Sequence, residues 1–169
     1  GFFSEATGLI FMGRNEAGGN GGAIYAKGNV TFGTTATITY NSAEGDDGGA
    51  IYASGYTIRF DDVANISNNT AGDDGGAIYA KSVIANESIT FTENTSRYWG
   101  GAILATGALV FYSTTTFTSN TADVAGGAIK TGSTILFDLD ATLSLNKAPN
   151  GGAIYTTSTI HSEGTVTFD

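Results

Sequence analysis

The sequence predicts an all-β solenoid: a parallel β-helix of about six and a half coils, ~26 residues each, with three short strands per coil. Three observations predict it. Gly-Gly-Ala triplets begin at Gly21, Gly48, Gly75, Gly100, Gly126 and Gly151, at intervals of 25 to 27 residues. A second phrase, apolar-x-x-Asn, keeps the same beat and ends at Asn15, Asn41, Asn69, Asn94, Asn120 and Asn146. The segments between these phrases alternate β-branched or aromatic residues with polar ones, as in "VTF", "TIT" and "TFT", and no stretch carries a 3.6-residue apolar period over a helix length. Two phrases locked in phase over six copies mark one repeat being stacked.

Taken in chain order, each coil has a strand in "GGAIYA", a second around Val30 or Leu109, and a third in the "TxT" segment before the asparagine. No hairpin dipeptide separates them, so the chain coils rather than meanders. Successive coils stack as three parallel sheets, and at ~4.8 Å per strand the rod is about 30 Å long. Residues 1–169 are read as a single domain. The chain ends within an apolar-x-x-Asn phrase and begins part-way through a coil, which reads as a segment of a longer array. It shows no signal peptide and no apolar span of bilayer length.

Alternation places Ile24, Ile51, Ile78, Ile103, Ile129 and Ile154 inward, and Tyr25, Tyr52, Tyr79, Leu104, Lys130 and Tyr155 outward. The double glycine suits a corner that needs positive φ or close approach of the next coil. The asparagines form a ladder that satisfies corner backbone groups.

Tandem GGA[ILV] and FxxN phrases in a Gly-, Ala- and Thr-rich acidic chain resemble the polymorphic membrane proteins of chlamydiae, and the wider set of surface proteins that share this repeat. Met, Ile or Leu replaces Phe in four of the six complete phrases. The resemblance implies a right-handed parallel β-helix carried outside the cell as an autotransporter passenger, often adhesive. It implies attachment to the outer membrane through parts outside this chain.

There are no cysteines, so neither disulfides nor thiol metal sites arise. A net charge of −9 argues against nucleic acid and anionic membranes as partners. Asn-x-Ser/Thr sequons at Asn29, Asn65, Asn68, Asn86 and Asn94 matter only if the source is eukaryotic. No catalysis is expected. His161 has no evident partner, and the outward pairs Arg59/Asp61 and Asp138/Asp140 lie three coils apart.

Three surface features compete for a binding role. Asp46, Asp47, Asp73 and Asp74 share one phase in consecutive coils, a solvated acidic corner or a calcium site, with Arg97 one coil further on as partial compensation. No other cofactor is expected. Thr37/Thr39, Asn65/Ser67, Thr90/Thr92, Thr116/Thr118 and Thr142/Ser144 make a flat hydroxyl array, which suits an exposed strand face or an ice-binding one. Tyr25, Tyr52 and Tyr79 form an outward ladder, and Tyr98 and Trp99 an aromatic knob where earlier coils carry Asp-Asp. The functions to weigh are an adhesin or stalk, a filament block assembling through open coil ends, and an ice- or glycan-binding solenoid. The corresponding partners are a host-cell receptor, a glycan or another copy of the chain.

Overall fold

The computed structural model describes residues 8–169, and among them there is no helix. The chain winds into a β-solenoid of about six turns whose strand pairings are all parallel. Three sheets run along it, as the repeat predicts. The first holds the "TxT" segments as seven strands, from Ile10–Gly13 through Ile89–Thr92 to Val166–Phe168.

Strand membership differs from the sequence reading. The "GGAIYA" segments and the segments around Val30 and Leu109 lie in one ten-stranded sheet. In the second and third coils they fuse into the single strands Ile51–Phe60 and Ile78–Ala85. The third sheet is built from two-residue strands directly after the first five ladder asparagines: Glu16–Ala17, Ser42–Ala43, Thr70–Ala71, Thr95–Ser96 and Thr121–Ala122. Two residues carry no visible period, so alternation could not reveal them. Coil length varies in the ten-stranded sheet. Ser82 pairs with Thr57 while Ala80 pairs with Ala53, so Ser54–Tyr56 bulge out, with Gly55 at φ 82°.

The inward columns follow from alternation. Ile51, Ile78, Ile103 and Ile129 are fully buried, with Ile24 and Ile154 packed on either end. Opposite them run two aromatic-rich columns. Phe32, Phe60, Ala85, Phe111 and Phe137 align in one sheet, and Met12, Ile38, Ile66, Phe91, Phe117 and Leu143 in another. Rings stack along each column, 4.8 Å apart for Phe32–Phe60 and for Phe91–Phe117. The Phe111 and Phe117 rings meet edge to face at 5.8 Å, so the two columns fill one lumen. Where the first column shrinks to Ala85, the second carries Phe91 in the same coil.

Both corner phrases carry backbone work. Gly75 has φ 62°, and a methyl at Gly76 would strike the Gly101 carbonyl of the next coil. Positive φ and close approach, read as alternatives in the sequence, are thus divided between the two glycines. The asparagines form the predicted ladder. Asn94 Nδ2 donates to Asn120 Oδ1 (3.0 Å) and to the Ile66 carbonyl (3.1 Å), and its backbone N–H also reaches Asn120 Oδ1 (3.0 Å). The same pattern recurs at Asn41, Asn69 and Asn120. Just before each ladder asparagine sits a left-handed residue: Arg14, Tyr40, Asn68, Glu93, Ser119 or Leu145, with φ between 54° and 60°. Such a conformation costs about 1 kcal/mol or more, and the ladder holds it in place.

Candidate functional site

The acidic corner is an amide-capping stack. Asn20 Oδ1 accepts the Asp47 N–H (3.1 Å), Asp47 Oδ1 accepts the Asp74 N–H (3.1 Å), and Asp74 Oδ1 accepts the Trp99 N–H (3.0 Å). Burial, then repulsion from Asp74, Asp73 and Asp46, raises the Asp47 carboxyl to about 6, against the lowering effect of its bond to the Asp74 amide. Asp74 is raised for the same leading reason. Asp46 is exposed, and its carbonyl accepts the Asp73 N–H (3.0 Å). Among the described residues no three His, Cys, Asp or Glu side chains converge to hold a metal ion.

Charge compensation comes from a different residue than the sequence suggests. The bond from the Trp99 amide holds down the rise of the Asp74 carboxyl most, and Lys130, two coils beyond, is the cation that adds to it. Arg97 instead lies over the Tyr98 ring, 5.5 Å from its centroid. Sequence phase locates the coil but not the direction in which a long side chain leans.

Tyr25, Tyr52 and Tyr79 form the outward ladder with centroids 5.2 Å apart and interplanar angles of 15° and 28°. Both faces of Tyr52 are spent on its neighbours, and the Lys27 ammonium lies 5.9 Å from the Tyr25 ring centroid, so the ladder presents mainly ring edges and hydroxyls. It adjoins the acidic corner: burial and the charges of Asp47 and Asp74 raise the Tyr79 phenol. One rung on, Leu104 is only 3% exposed although it points outward. The Trp99 indole extends from its corner to Lys130, whose Nζ lies 4.8 Å from the ring centroid. Tyr98 and Trp99 remain about 40% exposed, forming the expected knob.

The hydroxyl array forms in the expected register: Thr37, Asn65, Thr90, Thr116 and Thr142 align in one rank, and Thr39, Ser67, Thr92, Thr118 and Ser144 in the next. Some hydroxyls bond within the array, as in Thr39–Ser67 at 3.0 Å and Thr118–Ser144 at 3.3 Å. Asn65 and the exposed Phe11 interrupt the outer rank.

The remaining polar residues are local. His161 does have a partner, Glu163 at 2.8 Å, both exposed two residues apart on one face. Arg59 pairs with Asp61 at 2.7 Å, and the other Asp61 oxygen accepts from Asn86. Of the sequons, Asn94 is fully buried in the ladder, where no glycan fits; Asn29 is exposed and caps the Thr57 amide.

A family model, the Chlamydia polymorphic membrane protein repeat, matches residues 10–27, 35–54, 64–81, 88–106, 114–132 and 140–157. The chain belongs to the Chlamydia polymorphic membrane protein repeat family. No curated protein and no solved structure matches it.

Each polymorphic membrane protein repeat corresponds to one structural run: the strand of the first sheet, the asparagine corner, the two-residue strand (in the first five), the double glycine and the isoleucine strand. Most of each intervening segment, such as 55–63 or 107–113, holds the strand in which coil length varies. The family takes its name from a membrane protein, while no helix among the described residues is long and apolar enough to cross a bilayer.

Proposed function

We propose that this chain is a non-catalytic rod displayed at the cell surface, an adhesin or stalk of the passenger type. The observation that carries the reading is the match of all six repeats to a membrane-protein family, in step with coils whose polar networks are consumed by stacking. Asparagines and corner aspartates bond to adjacent coils, leaving outward aromatics and hydroxyls as the presented surface. A rod of this kind presents side chains at fixed spacing without moving parts, which suits contact with a receptor or glycan and not turnover.

The test is surface display with adhesion. The parent protein, tagged by an epitope inserted at the exposed Thr106, is probed on intact cells with antibody and protease, and beads coated with this chain are scored on host cells. Accessible epitope and bead attachment that falls at least tenfold with Tyr98→Ser and Trp99→Ser support the reading. An inaccessible epitope, or regular polymers of the purified parent in electron micrographs in place of separate rods, would favour an internal or filament-forming role.

A further inference from the structure

The departures from the repeat cluster in one place. The corner column reads Asn20, Asp47, Asp74, then Trp99, Ala125 and Asn150; the outward column reads three tyrosines, then Leu104, Lys130 and Tyr155. Every coil meets the same stacking demand, so clustered outward departures are not required by the fold. Ala125, between the larger Trp99 and Asn150, and Gly132, beside Thr157, open a hollow of about 450 Å³ there. That volume lies within the roughly 300–1,000 Å³ typical of small-ligand sites.

We infer that this hollow is a saccharide site, taking a single sugar unit that carries a carboxylate. The proposal deepens the adhesin reading above by naming a ligand class. The walls are amphipathic in the way a pyranose is: the Trp99 and Tyr155 rings offer apolar contact, while Lys130, Asn150 and Thr157 offer hydrogen bonds. Asn150 Nδ2 donates to the Val124 carbonyl (3.2 Å), and its Oδ1 meets no protein donor among the described residues. The Lys130 ammonium rests on the Trp99 ring and feels Asp74, yet makes no ion pair; the pairs among the described residues are Arg59–Asp61 and His161–Glu163. Asp74 acts on this ammonium only through space, so its N–H donors stay free to bind one carboxylate on the ligand. A peptide strand is disfavoured because backbone lining the hollow is already paired between coils, as in Val124 N–H to the Tyr98 carbonyl and Asn150 N–H to the Val124 carbonyl. A polyanion is disfavoured by the net charge of −9.

The chain reports on this site itself, because Trp99 is its only tryptophan. Purified protein is titrated with methyl glucuronide, methyl glucoside (identical except for the carboxylate) and N-acetylneuraminic acid, following tryptophan emission. A saturable change with at least one acid sugar, at least tenfold weaker with the glucoside, is expected. Gly132→Leu fills the hollow without backbone strain, since Gly132 is not left-handed and a Cβ there meets only Thr157 Oγ1 at 3.7 Å; it is expected to abolish the response while keeping the melting temperature. Lys130→Met is expected to erase the preference for acid over neutral sugar. Flat titrations with both acid sugars, an equal response to the glucoside, or a response that survives Gly132→Leu would overturn the proposal. None of these outcomes bears on surface display, which the epitope experiment reads separately.

Discussion

At the scale of single residues, the corner ladders separate what the stack needs from what it merely contains. Asn94 satisfies a neighbouring carbonyl, a backbone amide and two side chains while fully buried. Asn94→Ala strands those groups, and a loss of about 1–3 kcal/mol is expected from the shift in urea midpoint; a neutral result would mean that water replaces the amide. Two residues on, Ser96 is the reverse case. It occupies a column otherwise made of Ala17, Ala43, Ala71 and Ala122, and its buried hydroxyl has no partner. Ser96→Ala is therefore expected to stabilise by about 1 kcal/mol. An unchanged or lower midpoint would show that the hydroxyl is satisfied after all.

At the scale of a column or corner, the acidic stack ties stability to pH. Asp47 is raised from 3.8 to about 6, so the folded state prefers the protonated form. Its stabilising share is full below about pH 4 and is lost as pH rises through 6. Asn20 performs the same amide-capping one coil earlier without charge. Asp47→Asn should therefore match wild type near pH 3.5 and exceed it by about 1 kcal/mol at pH 7.5, allowing for solvent screening at a half-exposed site; a constant offset across that range would sink the argument. Calcium provides a second arm. A specific site raises the melting temperature beyond matched ionic strength of sodium chloride, and Asp47→Asn with Asp74→Asn removes that excess; equal responses leave only a screened corner. The sequence made the columns legible and the corners less so. Ile78 inward and Tyr79 outward follow from period two, and the Asn94 ladder from its interval. The two-residue strand Thr95–Ser96 is too short to show alternation. The left-handed residue before each asparagine is Arg14, Tyr40, Glu93, Ser119 or Leu145 as readily as Asn68, because the corner imposes that geometry whatever the side chain. Lys130 was equally hidden, since phase alone does not say that its ammonium reaches back toward Asp74 across Trp99.

At the scale of the whole molecule, stability is a sum over neighbouring coils rather than the property of one centre. The middle coils bury Ile51, Ile78, Ile103 and Ile129 completely, whereas Ile24, Ile154 and Val166 are only partly covered and Phe168 is 55% exposed. Local opening therefore costs least at the two ends of this chain and most in the third and fourth coils. Residue-resolved hydrogen exchange should rank the amides of Ile78–Ala80 and Ile103–Ala105 slowest, with Ile24 and Ile154–Thr156 at least tenfold faster. Phe91→Ala tests the coupling directly. It empties the lumen in the coil where Ala85 already leaves the opposite column small, so no neighbouring ring in that coil can fill the space. A loss of about 3–5 kcal/mol is expected, concentrated as faster exchange in the coils on either side of Phe91. Uniform protection in the wild type, with a uniform drop in the variant, would instead mean that the six coils unfold as one indivisible unit.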